Sequence, residues 1–272
     1  GNGSIYRRLG REFANPKTAH DPLIDVPDSL IDSWKEEKPS ESSERRDKGP
    51  ERRKLAATLH ICWSPTAEGL AWPGPGEYRS VSALQIATGD IIAAALFLRQ
   101  RFCKIANATP PLVLVGFSFG GPAAWAAASK LTLEHGWTPS GVLSMAGSAR
   151  GGPAFEALGL DTLSCVLRCA RAGAATLLVH STNDVKVAPE VSYAFYSSLR
   201  DRGHEALSLI VVDNAEHNVK QARHTIFPLL RDWVQACITG VSVDSPSAFR
   251  LHSDRSLTRF LAPADVQLSP AL

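Results

Sequence analysis

Apolar residues in this chain follow two alternating rhythms. Short, nearly continuous apolar runs occur at 54–63 (KLAATLHICW), 112–115 (LVLV), 140–145 (SGVLSM), 174–180 (AATLLVH) and 207–212 (LSLIVV). Runs of this length without polar alternation read as strands buried on both faces. Between them the apolar spacing changes to three and four. Leu84, Ile91, Ala95 and Leu98 mark a helix over 81–102, and an alanine-rich segment continues from Pro122 to about His135. Further helices are expected over about 154–171, 190–202 and 217–238; the last carries Ile226, Leu229, Leu230, Trp233 and Val234. Pro189 stands near the first turn of the helix at 190, where its missing N–H costs nothing. GWTP at 136–139 and the Pro- and Gly-rich stretch 64–80 break the pattern. LSLIVV is the last run that reads clearly as a strand.

Strands alternating with helices point to parallel β-α-β units, and parallel strands need both faces covered. The expected class is therefore α/β, with a mostly parallel sheet flanked by helices on both faces. The folded part is expected over 54–239. Residues 1–53 are different material, crowded with charges of both signs (WKEEKPSESSERRDKGPERRK) and nearly without apolar periodicity. Such a segment buries too little surface to offset its ordering entropy and reads as a disordered or loosely docked N-terminal segment. One short helix is expected near 27–34, capped by Asp28 or Ser29. From Gly240 to Leu272 the chain turns polar again and reads as a C-terminal tail.

Composition narrows the partners. The 272 residues are 44% hydrophobic and 21% charged, with a formal net charge of +2. No basic patch interleaved with aromatics suggests nucleic acid, and no apolar run approaches membrane-spanning length. The N-terminal basic clusters, Arg7-Arg8, Arg45-Arg46 and Arg52-Arg53-Lys54, are interleaved with acids and read as a solvated face, with a protein partner for this segment as the other reading. Five cysteines at 62, 103, 165, 169 and 237 form no disulfide framework. Cys165 and Cys169 share a helical spacing but have no accompanying histidine cluster, so they read as small buried residues rather than metal ligands. The chain starts at Gly1, so a removed targeting peptide would not be visible, and a cytoplasmic protein is the default expectation.

The candidate chemistry sits at the ends of the strand runs. After LVLV comes Gly116-Phe117-Ser118-Phe119-Gly120, a G-x-S-x-G sequence between a strand and a helix. Glycines there allow a turn too tight for side chains and push the serine hydroxyl above the sheet edge. After 174–180 comes Ser181-Thr182-Asn183-Asp184, and after 207–212 comes Asp213-Asn214-Ala215-Glu216-His217. A serine hydroxyl needs an imidazole to take its proton and a carboxylate to orient that imidazole. Ser118, His217 and Asp184 could meet that need, with Asp213 the substitute acid. His60, His180 and His204 are weaker candidates: His180 ends a strand and is expected to pack or cap, and His204, in RDRGHE, is expected to face solvent.

The chain order Ser, acid, His and three motifs, VGFSFGG, HSTNDVKVAP and DNAEHNV, resemble the α/β-hydrolase superfamily over about residues 80–238. The short spacings, about 65 residues from serine to acid and about 33 from acid to histidine, are similar to the compact, lid-less branch of dienelactone-hydrolase-like and serine-esterase-like proteins. Dienelactone hydrolases proper carry cysteine where this chain has Ser118. WPGPGE at 72–77 looks like the family's P-G-x-G-x-S loop, which leaves too little preceding chain for the usual elements, so the fold is expected to be abbreviated on its N-terminal side.

The resemblance implies a serine hydrolase that cleaves an ester or thioester through an acyl-enzyme, with no metal or organic cofactor. Two oxyanion donors are required. One is expected from the N–H of Phe119 and the second from the backbone near Trp63 or Ser64, since no HGxG-like sequence occurs. The alternative reading is a non-catalytic interaction protein that keeps the fold and binds through its charged N-terminal segment. The intact Ser-Asp-His set favours the enzyme.

Overall fold

The computed structural model describes residues 81–106, 109–147, 160–240 and 247–259. The charged segment 1–53, the strand expected at 54–63, Trp63 and Ser64, and the loop to residue 80 lie outside the described residues. Two compact units divide the chain: Gly1–His60 with Leu96–Pro110, and Ile61–Ala95 with Pro111–Leu272. Of the first unit, the described part is the second half of helix α1 (Val81–Ala106) and the two residues 109–110. The second unit contains all the described strands.

Those strands form one sheet in sequence order: β1 (Val113–Phe117), β2 (Gly141–Met145), β3 (Ala175–Ser181), β4 (Leu207–Val212), β5 (Ser247–Leu251) and β6 (Leu257–Arg259). The first five are parallel, and β6 pairs antiparallel with β5. Helices α2 (Gly120–His135), α3 (Thr162–Arg171), α4 (Pro189–Asp201) and α5 (Arg223–Thr239) make the crossovers.

Every residue of β2, β3 and β4 is buried. Successive strand side chains point to opposite faces, so both faces of the sheet are covered. Two glycine-scale contacts identify the covers. A Cβ at Gly121, in the first turn of α2, would strike the hydroxyl of Ser144. A Cβ at Gly141 would meet Trp233 and Cys237 of α5 at 2.8 Å. Residues 141 and 144 are three apart on β2 and face opposite ways, so α2 and α5 lie on opposite faces. Helix α2 can approach closely because it is built of alanines: Ala123, Ala126, Ala127 and Ala128 have no exposed surface. The first half of α1 packs on it, with Leu84 fully buried among Ala123 and Ala126 and with Ala87, Ile91 and Phe119 around them.

Local signals explain the boundaries. Asp161 caps α3, its carboxylate accepting from the N–H groups of Leu163 (3.3 Å) and Ser164 (2.8 Å). Pro189 opens α4, as expected. Gly136 (φ 57°) and Gly240 (φ 69°) end α2 and α5 in the left-handed region. No helix among the described residues is long and apolar enough to cross a membrane.

Four expectations need correction. Of the helix expected over about 154–171, residues 154–159 lie outside the described residues, and the described helix begins at Thr162, because Asp161 is extended and caps it. The helix expected from His217 begins at Arg223, after a single 3-10 turn at Lys220–Ala222, and so leaves His217 in a loop. LSLIVV is not the last strand: residues 247–251 and 257–259, within the stretch expected to be a polar tail, extend the same sheet. Of β5, Ala248 and Leu251 are buried, too few apolar residues to stand out in a polar stretch.

His204 is the fourth. It is 4% exposed rather than solvent-facing. The turn after α4, through Gly203 (φ 78°), leads the chain into β4 beside β3, and His204 Nε2 lies 2.7 Å from Thr176 Oγ1 at the start of β3. Burial pushes its pKa down to about 4.

The depressed value makes His204 a source of acid sensitivity. Its contribution is fully present above the unfolded value of about 6.5 and is lost as pH falls from there towards 4, on the order of 3 kcal/mol in total. Urea titrations at stepped pH should show that loss, and His204→Gln should flatten the slope across the same window.

Gly116 supplies a second prediction. A Cβ there would overlap the carbonyl of Gly120 and come within 2.6 Å of Gly121 Cα, and both are backbone that cannot rotate away. Gly116→Ala should therefore lower stability by at least about 1–3 kcal/mol in urea denaturation.

Candidate active site

Three loops leave the carboxyl ends of β1, β3 and β4, where ligands sit in open parallel sheets. The first is the tightest. Ser118 follows β1 directly and has φ 54°, a left-handed conformation that a non-glycine residue adopts only under constraint. Its N–H continues the ladder to Met145 O at 2.8 Å, while its own carbonyl accepts from Gly121 N–H at 3.0 Å. Phe119 then enters the helical region (φ −54°, ψ −30°) and α2 begins at Gly120. The serine is thus the one residue between strand and helix that carries the reversal, and Gly116 leaves the space for it.

The second loop holds Asp184, whose side chain is fully buried. Its Oδ1 accepts from the N–H groups of Lys186 (2.9 Å) and Val187 (3.0 Å). Its Oδ2 accepts from His217 Nδ1 at 2.7 Å and faces His180 Nε2 at 3.2 Å. Burial alone would raise this carboxyl's pKa, but the hydrogen bonds from His180, Val187 N–H, His217 and Lys186 N–H outweigh it and hold the group well below the usual carboxylate range.

The third loop carries His217. The loop is stitched to the second: Thr182 N–H donates to Val212 O (2.9 Å), Asn183 N–H to Ala215 O (3.1 Å), and Asn214 N–H to Thr182 Oγ1 (2.9 Å). A turn closed by Val219 N–H on Glu216 O (2.9 Å) then presents the imidazole. Its Nδ1 faces an ionised carboxylate and so carries a proton, which leaves Nε2 as acceptor. Nε2 lies 3.0 Å from Ser118 Oγ. Phe117, 4% exposed, backs the ring with centroids 5.0 Å apart.

The structure therefore brings Ser118, Asp184 and His217 together in a continuous hydrogen-bonded chain. The substitute acid, Asp213, stands elsewhere: it pairs with His252 Nδ1 at 2.9 Å and lies 3.8 Å from Arg250 Nε. Phe119 N–H has no acceptor among the described residues and stands at the start of α2, where helix N–H groups are unpaired. Its side chain packs against the cluster of Leu84, Ala123 and Ala126. Trp63 and Ser64, the expected second oxyanion donors, lie outside the described residues. No group of three or more His, Cys, Asp or Glu among the described residues is placed to hold a metal ion. Cys165 and Cys169 are buried in α3, and burial raises both thiols, that of Cys169 to about 11.

A sequence model of the Prolyl oligopeptidase family matches residues 154–240, which contain β3, β4 and the loops of Asp184 and His217. With a mostly parallel sheet in sequence order and a left-handed serine between β1 and α2, the architecture is decided. The chain has an α/β-hydrolase fold.

Solved structures similar to this α/β-hydrolase fold include an acylaminoacyl peptidase from Pyrococcus horikoshii, at 16% identity and TM-score 0.40 over 51% of this chain and 26% of that one. The chain thus spans about a quarter of the length of that peptidase. An esterase domain from Rhodothermus marinus matches at 20% identity and TM-score 0.39 over 59% of this chain and 80% of that one. A monoacylglycerol lipase from Paleococcus ferrophilus matches at 15% identity and TM-score 0.37 over 58% and 76%. No curated protein matches the sequence significantly.

The lowered Asp184 carboxyl gives a stability prediction of definite sign. Its stabilising contribution is fully present above the unfolded carboxyl value of about 4 and is lost as pH falls below it. Asp184→Asn has no charge to neutralise. It should be less stable than wild type near neutral pH and lose less below about pH 4, as read from urea midpoints across the acid range.

Proposed function

We propose that this protein is a serine hydrolase that transfers the acyl group of an ester or thioester of modest size through a covalent acyl-enzyme. The observation that carries the reading is the pair of distances at His217: Nε2 to Ser118 Oγ at 3.0 Å and Nδ1 to Asp184 Oδ2 at 2.7 Å. Both lie within the range needed for proton transfer and for orienting the base.

In the proposed reaction Ser118 Oγ attacks the carbonyl carbon as its proton passes to His217 Nε2. Asp184 stays ionised and stabilises the resulting imidazolium. Phe119 N–H, at the start of α2, faces the charge that develops on the carbonyl oxygen. The tetrahedral adduct collapses, and the leaving alkoxide or thiolate takes the proton from Nε2. Water then attacks the acyl-serine with His217 again as base, and Ser118 recovers its proton. The Prolyl oligopeptidase match extends the acyl donors worth testing to peptide amides, for which the same proton must reach a leaving amine.

Labelling with a fluorophosphonate probe tests the reading. Wild type should form a stable adduct at Ser118, and Ser118→Ala should form none. Hydrolysis of a short-chain p-nitrophenyl ester should fall in parallel, leaving at most the residual 10³–10⁴-fold over water that binding and the oxyanion donors supply, roughly. Serine-independent labelling, or none at high probe concentration, would instead favour a non-catalytic interaction protein on the same fold.

A further inference from the structure

The acid of this site is held from a side that the acyl-transfer scheme does not use. His180, the penultimate residue of β3, is completely buried. Its Nδ1 lies 2.6 Å from Ser192 Oγ on α4. Its Nε2 lies 2.8 Å from the Val187 carbonyl and 3.2 Å from Asp184 Oδ2. Both groups facing Nε2 are acceptors, so Nε2 carries a proton; it donates to the Val187 carbonyl, and Asp184 Oδ2 lies against the same N–H at 3.2 Å. In the neutral ring Nδ1 then has only a lone pair, and the Ser192 hydroxyl donates to it. Ser192 is itself 5% exposed, so water does not readily replace that donor.

The oxygen that His180 reaches is the one that receives His217 Nδ1–H. The backbone donors of Lys186 and Val187 hold only Oδ1. A carboxylate held at one oxygen can still swing the other. Without His180, the one grip left on Oδ2 among the described residues would come from His217, which stands on a loop and is the group to be positioned.

We propose that His180, locked by Ser192, is a positioning residue that fixes the Asp184 carboxylate in the orientation His217 needs. The inference rests on the serine-hydrolase reading for its consequence in rate, though not for its geometry. The network then runs unbroken from Ser192 on α4 through His180, Asp184 and His217 to Ser118. It ties the site to a helix whose buried face, Ala194, Phe195 and Leu199, belongs to the core.

Three variants test it: His180→Gln, whose amide nitrogen can stand near the position of Nε2; His180→Leu, which cannot donate; and Ser192→Ala. Two readouts are taken on folded protein, the rate of fluorophosphonate labelling at Ser118 and the downfield Nδ1 proton of His217 by NMR. His180→Leu should label up to about a hundredfold more slowly, the scale of an ångström misplacement, and should lose or broaden the His217 proton. His180→Gln should recover most of both. Ser192→Ala should fall between. A His180→Leu rate within twofold of wild type with the proton signal intact overturns the proposal. So does His180→Gln being as slow as His180→Leu at equal thermal midpoints. Should His180→Leu not fold, Ser192→Ala decides: an unchanged rate and an unchanged signal overturn it. Absent labelling of wild type would sink the hydrolase reading, while the His217 proton, which needs no turnover, would still report whether His180 holds the pair.

Discussion

A fully buried carboxylate is costly unless donors surround it, and the centre of this molecule is arranged around meeting that need at Asp184. Its two oxygens face four N–H groups, two from its own loop, one from β3 and one from the loop after β4. Each donor fixes something else as it satisfies the charge. The backbone donors shape the loop, His217 acquires its tautomer, and His180 couples the group to α4. The combined hydrogen bonding outweighs desolvation, so the group stays ionised and can stabilise a charged imidazole beside it.

Sheet geometry explains why the loops must be so closely tied. Neighbouring strands are spaced about 4.8 Å apart, so the end of β4 lies three spacings, roughly 14 Å, from the end of β1. An imidazole cannot span that distance from the end of its own strand. The chain after Val212 must swing back over β3, and the bonds linking Thr182, Asn183 and Asn214 to the facing loop hold it there. Asp184 stands in the loop after β3, the strand next to β4 on this return path, within reach of the imidazole. The same constraint accounts for the late start of α5. A helix beginning at His217 would carry the chain away from the rim, and a loop followed by a 3-10 turn at Lys220–Ala222 brings it over instead.

Much of this could be read from the chain, and the parts that could not share a cause. The buried parallel strands announce themselves because burial on both faces demands continuous apolar runs, as in LSLIVV. The turn at Ser118 announces itself because only glycine at 116 leaves room for Gly120. Strand β5 is hidden because SAFRL buries few apolar side chains, and it pairs by backbone as much as by side chain. His204 is hidden because a polar turn, RDRG, disguises a residue that is buried against Thr176 of β3. The partnership of His180 with Asp184 and Ser192 has no local signature. It depends on α4 folding back across the end of β3, a tertiary event that spacing does not encode. The helix boundaries near 162 and 223 are set by a single aspartate cap and by the need to return His217 to the rim, neither of which changes the apolar period.

Backbone strain is concentrated at the same rim. Four non-glycine residues with positive φ follow the ends of β1, β2 and β4: Ser118 (54°), Ala146 (51°), and then Asn214 (54°) and Val219 (48°). Asparagine tolerates this region, but a β-branched valine does so only when its surroundings over-determine it, at a cost of about 1–3 kcal/mol. Val219 meets that condition, since its side chain is completely buried and its N–H closes the turn that presents His217. Replacing it by glycine would relieve the torsion but remove the buried anchor, so the strain cannot be discarded without loosening the imidazole. Such conformations persist because β2, β3 and β4 beneath them are buried along their whole length and cannot shift to accommodate a relaxed loop. The rigidity of the core is thus what allows the rim to hold three side chains in a geometry that none of the loops would adopt alone.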